Sequence, residues 1–280
     1  MYYKRTFMRL PEGKTRMLTF SFDDGNTFDE RLINIFNKYN MKATFNLNAG
    51  LILDSENEPN GRMSKEKARE LFANSPHEVA CHGQYHTRFE SQSISLTAQD
   101  ILLDRKLLED FTGKIVRGMA YPFGGVNDNV VEVMKQAGMA YGRTVDTTHG
   151  FYIPINMEKD WFRLNPTCNY ADPALFEMAE AFLTIDEEQY PYMFYIWGHS
   201  SDFEIANNWD VIERFCERMQ NIDDVWYATN IEIYDYFQAY NSLQFSYDEK
   251  RVYNPSATDV WFHINTKNYV VRAGQMLEIE

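Results

Sequence analysis

The chain has 280 residues, of which 44% are hydrophobic and 15% aromatic, so a largely disordered chain is excluded and a sizeable core is expected. Its formal net charge of -14 excludes a nucleic-acid partner, because no basic surplus exists to replace phosphate counterions. No run approaches about 18 uninterrupted apolar residues and no signal peptide is recognisable, so we expect no membrane span and a cytoplasmic location.

Short apolar, β-rich runs alternate with segments of helical periodicity, which is the pattern of repeated βα units. The predicted strands lie at 16–22, 42–47, 78–81, 115–120, 140–145, 192–197 and 225–227. The predicted helices lie at 28–39, 64–73, 97–111, 127–137, 173–183, 208–220 and 229–240, with "TAQD" taken as a capping-box-like start of the third. Seven alternations predict an α/β fold with a closed or nearly closed barrel of about seven units, and a doubly wound open sheet matches the pattern almost equally well.

The sequence pattern changes at about residue 241, after which polar and β-forming residues alternate without a helical stretch. We therefore divide the chain into a barrel at 1–240 and a small C-terminal β extension at 241–280 that packs on it. Long loops are predicted at 54–63 and 146–172. The three cysteines lack CxxC spacing and are expected to be small buried hydrophobic residues: Cys81, Cys168 and Cys216.

The stretch "LTFSFDDG" places Asp23 and Asp24 where the first strand leaves the core. Both carboxylates are expected at the carboxyl edge of the sheet, where α/β active sites form. Two carboxylates this close repel each other unless a cation or a shared proton relieves them. A turn or a helix N-cap is the structural alternative for this motif taken alone.

The stretch "EVACHGQYHT" follows another predicted strand and carries His82 and His86 at a spacing of four. On a helical turn such a pair projects two imidazoles to the same side, within reach of one ion. Together with an aspartate at the same sheet edge, the pair predicts a three-ligand metal site with open positions. The alternative is a pair of polar surface histidines on a loop.

Two further motifs end predicted strands. In "YIWGHSSDF", His199 emerges at the carboxyl edge and is free to act as a general acid near neutral pH, although a packed histidine beside Trp197 is the alternative. In "AYPFGG", the glycines let the backbone approach a ligand, so Tyr121 and Phe123 are candidates for contacting substrate or an oxyanion. A simple turn explains the same residues.

These four motifs, in this order and strand context over residues 16–200, resemble those of the polysaccharide deacetylase family, the NodB-type carbohydrate esterases of family four. The resemblance implies a deformed (β/α) barrel and a metal-dependent hydrolase that removes N-acetyl or O-acetyl groups from an acetylated carbohydrate. The roles that it implies are Asp23 as general base, Asp24, His82 and His86 as metal ligands, and His199 as general acid.

The chain departs from the family pattern at two points. The family has an arginine just before the prolines of its third motif, a place that Tyr121 takes here; the nearest candidates are Arg117 and Arg143, and we take Arg143 as the catalytic one. The family's fourth motif, an Asp followed by Trp, is offered here either by Asp146 without the Trp or by the later pair Asp160-Trp161.

The implied cofactor is one divalent ion, Zn²⁺ before Co²⁺, Ni²⁺ or Mn²⁺. Two other functions are consistent with the same motifs: hydrolysis of a small non-sugar amide on the same metal site, and a catalytically silent glycan-binding module. Several tryptophans are candidates for sugar stacking, although burial is the commoner fate of such residues: Trp161, Trp197 and Trp209. No feature of the sequence predicts an oligomeric state.

Overall fold

The computed structural model describes residues 6–52, 61–154, 161–185 and 189–279. Its strands in chain order are β1 (Thr6–Arg9), β2 (Arg16–Asp23), β3 (Thr44–Leu47), β4 (Glu78–Cys81), β5 (Gly118–Ala120), β6 (Tyr141–Arg143), β7 (Cys168–Asn169), β8 (Tyr192–His199), β9 (Val225–Tyr227), β10 (Gln244–Phe245), β11 (Arg251–Tyr253), β12 (Val260–Ile264), β13 (Lys267–Val271) and β14 (Met276–Glu278). Its helices are α1 (Asp29–Lys38), α2 (Lys65–Phe72), α3 (Ile94–Thr112), α4 (Asp128–Gln136), α5 (Leu175–Thr184), α6 (Ser200–Ile205), α7 (Trp209–Met219) and α8 (Asn230–Asn241).

A parallel sheet forms the centre of the molecule. Its strand order is β6-β5-β4-β3-β2-β8-β7, with β9 also pairing with β2. An isolated parallel bridge between Arg143 and Leu164 links the β6 edge to the chain segment that leads into β7, so the sheet curls into a nearly closed barrel. The deformed (β/α) barrel is therefore confirmed, and the open doubly wound sheet is not observed in the described part of the chain.

The strand β2 lies between β3 and β8 in the wall of the barrel and is buried on both faces. Seven of its eight residues are buried, including Phe20 and Phe22 on the side that packs against α1. Its other face carries the buried polar residues Thr19 and Ser21, which are hydrogen-bonded to Asn230 and Asn46. Its register with β8 pairs Asp23 with His199, so the last residues of two adjacent strands lie at the same edge.

Seven of the barrel strands overlap the predicted ones, and β4 and β9 begin and end as predicted. The two-residue strand β7 and the short helix α6 were not predicted, and β7 falls inside the predicted loop 146–172. The predicted start of α3 was wrong: its N-cap is Ser93, whose side chain accepts from the backbone N–H of Leu96, and the helix already begins at Ile94. The motif "TAQD" is therefore inside the helix rather than at its cap.

The residues from 241 to 279 form strands and turns, as the alternating pattern predicts. The strand β12 pairs with β1 from the other end of the chain on one side and with β13 on the other, and β10, β11 and β14 form a second small sheet. A cluster of buried residues joins this region to α8 through Ala239 and includes Val252, Val260 and Phe262.

The three cysteines are buried and unbonded to one another, as expected. Within the described residues, no helix combines the length and apolar character that crossing a membrane requires.

Candidate active site

The predicted site residues come from strand ends at the carboxyl edge of the barrel. Asp23 is the last residue of β2, His82 follows β4, Arg143 ends β6 and His199 ends β8. Because parallel strands terminate at a common edge, residues far apart in sequence meet there. The structure brings together Asp23, Asp24, His82, His86, Arg143 and His199.

Asp24 turns away from the strand that carries Asp23. Its φ of 89° lies in the left-handed region that non-glycine residues rarely occupy, and its N–H donates to Asn46 O over 2.9 Å. This turn sends the two neighbouring carboxylates to different partners. The Asp24 Oδ1 atom is buried without a hydrogen bond and lies 3.7 Å from Nε2 of both His82 and His86.

His82 is held with one ring nitrogen directed at Asp24. Its Nδ1 lies 2.8 Å from the Ala120 carbonyl oxygen, which assigns the proton to Nδ1 and leaves the Nε2 lone pair for a metal. Burial lowers the pKa of His82 to about 4 and outweighs the charges of Asp23 and Asp24. The ring is therefore neutral near pH 7, which is the state that a metal ligand requires.

His86 reaches the same point from a loop rather than from a helical turn, which corrects the geometry predicted for this pair. Its φ of 54° is left-handed, and its ring centroid lies 4.7 Å from that of His82. Burial lowers the pKa of His86 as well. The spacing of four thus works through a turn that folds the second imidazole back over the first.

These three residues fit a divalent metal ion. One ligand atom from each of Asp24, His82 and His86 lies within 4.8 Å of the others. Asp24 Oδ1 has no hydrogen bond, although Arg62 Nη1 lies 3.3 Å from it, and a cation among the three ligands would complete its surroundings and use the free Nε2 of the fixed His82 tautomer. One oxygen and two imidazole nitrogens are a donor set that suits zinc.

Asp23 lies deeper than its neighbour and is 2% exposed. Its Oδ1 accepts a hydrogen bond from Asn46 Nδ2 over 2.8 Å and forms an ion pair with the fully buried guanidinium of Arg143. Burial would raise the pKa of this carboxyl, but the charge of Arg143, helped by His82 and His199, lowers it below its usual value. Asp23 is therefore ionised near neutral pH.

The two candidates for the family's arginine, Arg143 and Arg117, contact different residues. Arg143 binds Asp23, and its guanidinium carbon lies 4.9 Å from the centroid of the Trp197 ring. Arg117 instead forms a two-point ion pair with Asp235 near the surface, at 3.0 and 2.6 Å. Only Arg143 is placed to orient Asp23.

His199 is paired within its own segment. Its Nδ1 lies 3.0 Å from the Asp202 Oδ2 atom, three residues further on in α6. Burial alone would lower the pKa of His199, but the Asp202 hydrogen bond and the charges of Asp23 and Asp24 raise it to about 8. Sequence reasoning missed Asp202, although the i, i+3 spacing in "HSSD" is a usable signal once a helix start is recognised there.

The carboxylate that pairs with His199 in the described residues is not one of the two candidates for the family's fourth motif. Asp146 is exposed, and the carboxylate that the structure gives His199 is Asp202. Asp160 lies outside the described residues, whereas Trp161 is buried against Tyr234 and Phe237 and cannot stack on a sugar.

The stretch "AYPFGG" divides into a buried and an exposed part. Tyr121 was predicted to contact substrate, but its ring is fully buried, its hydroxyl donates to Phe162 O over 3.0 Å and its N–H donates to Arg143 O over 2.9 Å. Phe123, with φ 58°, is 51% exposed and packs at 4.4 Å against the His86 ring. Phe123 alone of the two therefore lines the site.

The remaining tryptophans also separate by position. Trp209 is buried and donates to Glu204 over 2.9 Å, so it takes no part in the site. Trp197 is half-buried beside Arg143 and His199, with its ring centroid 5.8 Å from that of the histidine.

The chain is similar in sequence and in fold to known proteins. Residues 11–142 match the family model described as polysaccharide deacetylase. A poly-beta-1,6-N-acetyl-D-glucosamine N-deacetylase of Staphylococcus aureus (strain MRSA252) is 25% identical over 171 residues, which cover 55% of this chain and 57% of that protein. The alignment thus spans little more than half the length of this curated relative.

Two solved structures share the fold. One is a protein from Mycobacterium smegmatis assigned as a polysaccharide deacetylase, with a TM-score of 0.60, 17% identity, and coverage of 84% of this chain and 94% of that chain. The other is a mutant, with restored enzymatic activity, of a carbohydrate esterase family 4 pseudoenzyme from Bacillus anthracis; its TM-score is 0.51, with 18% identity and coverage of 81% and 70%. The resemblance that the motifs predict is confirmed, since residues 11–142 match the polysaccharide deacetylase family model and the chain shares the fold of these solved structures.

Proposed function

We propose that this protein is a metal-dependent hydrolase that removes N-acetyl or O-acetyl groups from a glycan or sugar derivative. The observation that carries the proposal is the convergence of Asp24, His82 and His86 on one point beside Asp23. The match to the family model and the N-deacetylase activity named for the Staphylococcus aureus relative support deacetylation, which for an N-acetyl group is hydrolysis of a carbon–nitrogen bond outside a peptide.

In this proposal Asp24, His82 and His86 hold one divalent ion, Zn²⁺ in the first place. When bound, such an ion supplies Lewis acidity that activates water and polarises the acetyl carbonyl. Asp23, ionised and fixed by Arg143, accepts the proton of the attacking water. The backbone N–H of Phe123 donates to the developing oxyanion, and His199, protonated up to about pH 8, donates a proton to the leaving amine or hydroxyl.

The proposed base and the proposed metal ligands can be tested separately. Hydrolysis of an acetylated chitooligosaccharide and bound zinc are measured in the purified protein. Asp23→Asn is expected to retain zinc and lose about 10²- to 10⁴-fold in kcat, because only proton transfer is removed. His82→Ala is expected to lose both zinc and activity.

His263→Ala is the matched control for the histidine variant. His263 lies in β12, where its ring nitrogens contact Asn268 and Asn265, and its removal is expected to leave zinc content and rate unchanged. Full activity in both Asp23→Asn and His82→Ala contradicts the proposed mechanism.

A catalytically silent glycan-binding module is the second candidate function, since one structural neighbour is a pseudoenzyme. Wild-type protein that binds zinc yet hydrolyses neither an acetylated oligosaccharide nor a generic acetylated chromogenic substrate favours a binding module. Activity on the chromogenic amide alone favours the small-amide hydrolase instead.

A further inference from the structure

The helix α3 presents two carboxylates, one turn apart, to the loop that carries both histidines. Asp104 is fully buried, and its two oxygens accept backbone hydrogen bonds from Ala49 N over 2.8 Å and from His82 N over 3.0 Å. Asp104 therefore holds the backbone of the first imidazole ligand to a rigid helix. A residue at i+4 lies on the same helix face, which is why Asp100 can act on the same loop.

Asp100 fixes the part of the loop on both sides of the second ligand. Its Oδ1 accepts from Gln84 N over 2.6 Å and its Oδ2 accepts from the Thr87 hydroxyl over 3.1 Å. His86 lies between these two anchors and occupies a left-handed conformation. Such a conformation persists only where the surroundings hold it in place.

The loop between the histidines is fitted closely to α3. At Gly83, with φ +73°, an added Cβ would meet Phe89 Cζ at 2.9 Å and Asp100 Oδ1 at 3.4 Å. On its other side, Asn48 Nδ2 donates to the carbonyl oxygens of His82 and Gly83 over 2.6 and 2.7 Å. Side chains thus supplement the backbone bonds of this segment, in which the His82 N–H also donates to Leu47 O and Gln84 O accepts from the Gly50 N–H, both over 3.0 Å.

We propose that Asp100 and Asp104 are positioning residues that set where His86 and His82, respectively, present their nitrogens to the metal. Neither carboxylate is among the three residues grouped as metal ligands, and each acts through a different ligand. The inference rests on the metal site of the proposed function. Residues that orient ligands in this way typically change metal affinity 10- to 100-fold when they are replaced.

The hydrogen-bond partners make the two positions respond differently to the same substitution. At Asp100, an asparagine keeps one oxygen for Gln84 N, and the Thr87 hydroxyl can reverse and accept from the new amide. Asp104 accepts from two backbone N–H groups, which only donate, and also contacts the Cys81 thiol. An asparagine there leaves one of the two N–H groups facing another donor.

The experiment measures Co²⁺ affinity of metal-free protein by competition with a chelating dye, together with the visible absorption of the Co²⁺ complex. Asp100→Ala and Asp104→Asn are expected to raise the Co²⁺ dissociation constant about 10- to 100-fold and to alter the absorption spectrum. Asp100→Asn is expected to stay within about threefold of wild type. Should Asp104→Asn not fold, the pair of Asp100 variants decides the matter alone.

Two control variants separate positioning from loss of stability. Asp110→Asn removes an exposed carboxylate of the same helix that pairs with Lys106. Phe262→Ala opens the buried cluster of the C-terminal strands and destabilises the protein away from the metal site. Both are expected to bind Co²⁺ as wild type does, because a destabilised protein that is still mostly folded keeps its site.

The proposal is overturned if Asp100→Ala binds Co²⁺ with wild-type affinity and spectrum, or if Asp100→Asn loses as much affinity as Asp100→Ala. It also falls if the wild type binds no Co²⁺, and then the proposed function falls with it. Wild-type protein that binds Co²⁺ but hydrolyses no acetylated substrate removes the proposed function only, since the affinity comparison still stands.

Discussion

Asp23 and Asp24 are adjacent in the chain but differ in surroundings, and that difference separates their chemistry. Asp23 continues the strand, is held by Arg143 and Asn46, and stays ionised in spite of its burial. Asp24 leaves the strand with a left-handed φ, and its Oδ1, which accepts no hydrogen bond, lies near two imidazoles and the Arg62 guanidinium. Two carboxylates with different environments can take the roles of base and ligand without competing for one proton.

The pair formed by His199 and Asp202 leads to a prediction about pH. The general acid must be protonated, so activity falls as pH rises through the pKa of His199, which Asp202 helps to hold at about 8. Asp202→Asn removes a raising charge, so the pKa is expected to drop towards its usual value and the alkaline limb of kcat/KM to move to lower pH.

The matched control is Asp210→Asn, which removes an exposed carboxylate of α7 that pairs with Arg214. Its kcat/KM profile against pH is expected to overlay that of the wild type. An alkaline limb that does not move in Asp202→Asn excludes His199 as the group that controls it.

At the site, the sequence predicts residues at the ends of strands but not the helix residues that hydrogen-bond to the segments after them. Asp23, Asp24, His82 and His199 could be found because strand ends in a parallel sheet share one edge. Asp100 and Asp104 could not, because each lies inside a helix and acts through tertiary contacts that leave no periodic signal, whereas Asp202 required the start of α6 to be recognised. Tyr121 was placed wrongly because its side chain follows β5 into the core, whereas Phe123, two residues later and with a left-handed φ, is half exposed.

Among the elements, long periodic segments were predicted well and very short ones were missed. The strand β7 has two residues and forms only because Cys168 and Asn169 pair with the edge of β8. The helix α6 has six residues and begins directly at the end of β8. Neither segment is long enough for a hydrophobic period to stand out, so tertiary pairing decides the structure of both.

The start of α8 is tied to the barrel strands by one buried carboxylate. Glu78 on β4 accepts from Thr44 Oγ1, from Ile231 N and from Tyr141 Oη, over 2.8, 2.9 and 2.8 Å. Burial raises the pKa of Glu78 to about 7 from its usual 4.5. The folded protein therefore binds a proton more tightly here than the unfolded chain, and this contribution to stability is lost as pH rises from about 4.5 to about 7.

Glu78→Gln is expected to remove that pH dependence, because the amide keeps the shape of the side chain and does not ionise. Relative to wild type, the variant should gain on the order of 3 kcal/mol of unfolding free energy between pH 5 and pH 8. Urea unfolding at several pH values measures the difference, with the exposed Glu66→Gln as a control that shows none. A difference between Glu78→Gln and wild type that is constant with pH contradicts the raised pKa.

For the molecule as a whole, the two ends of the chain meet in one sheet. The strand β1 pairs with β12 in antiparallel register, with Thr6 opposite Ile264 and Arg9 opposite Trp261. The Tyr236 hydroxyl of α8 accepts from Trp261 N over 3.0 Å. The sequence predicts β structure after residue 241 from its alternation, but it contains no sign that the first strand belongs there. Pairing between distant segments is a property of the fold and not of any local pattern.

This arrangement predicts that the C-terminal strands unfold together with the barrel. Phe262 is fully buried, pairs in register with Met8 and stacks on Tyr269 at 5.6 Å, so Phe262→Ala is expected to lower the free energy of unfolding by about 3 to 5 kcal/mol. Calorimetry should show one transition shifted to lower temperature, because β1 and α8 connect the cluster to the barrel. Tyr247→Ala, at a fully exposed side chain of the same region, should leave Tm unchanged. A separate early transition in Phe262→Ala, with the main one unmoved, would instead mean that residues 241–280 unfold as an independent unit.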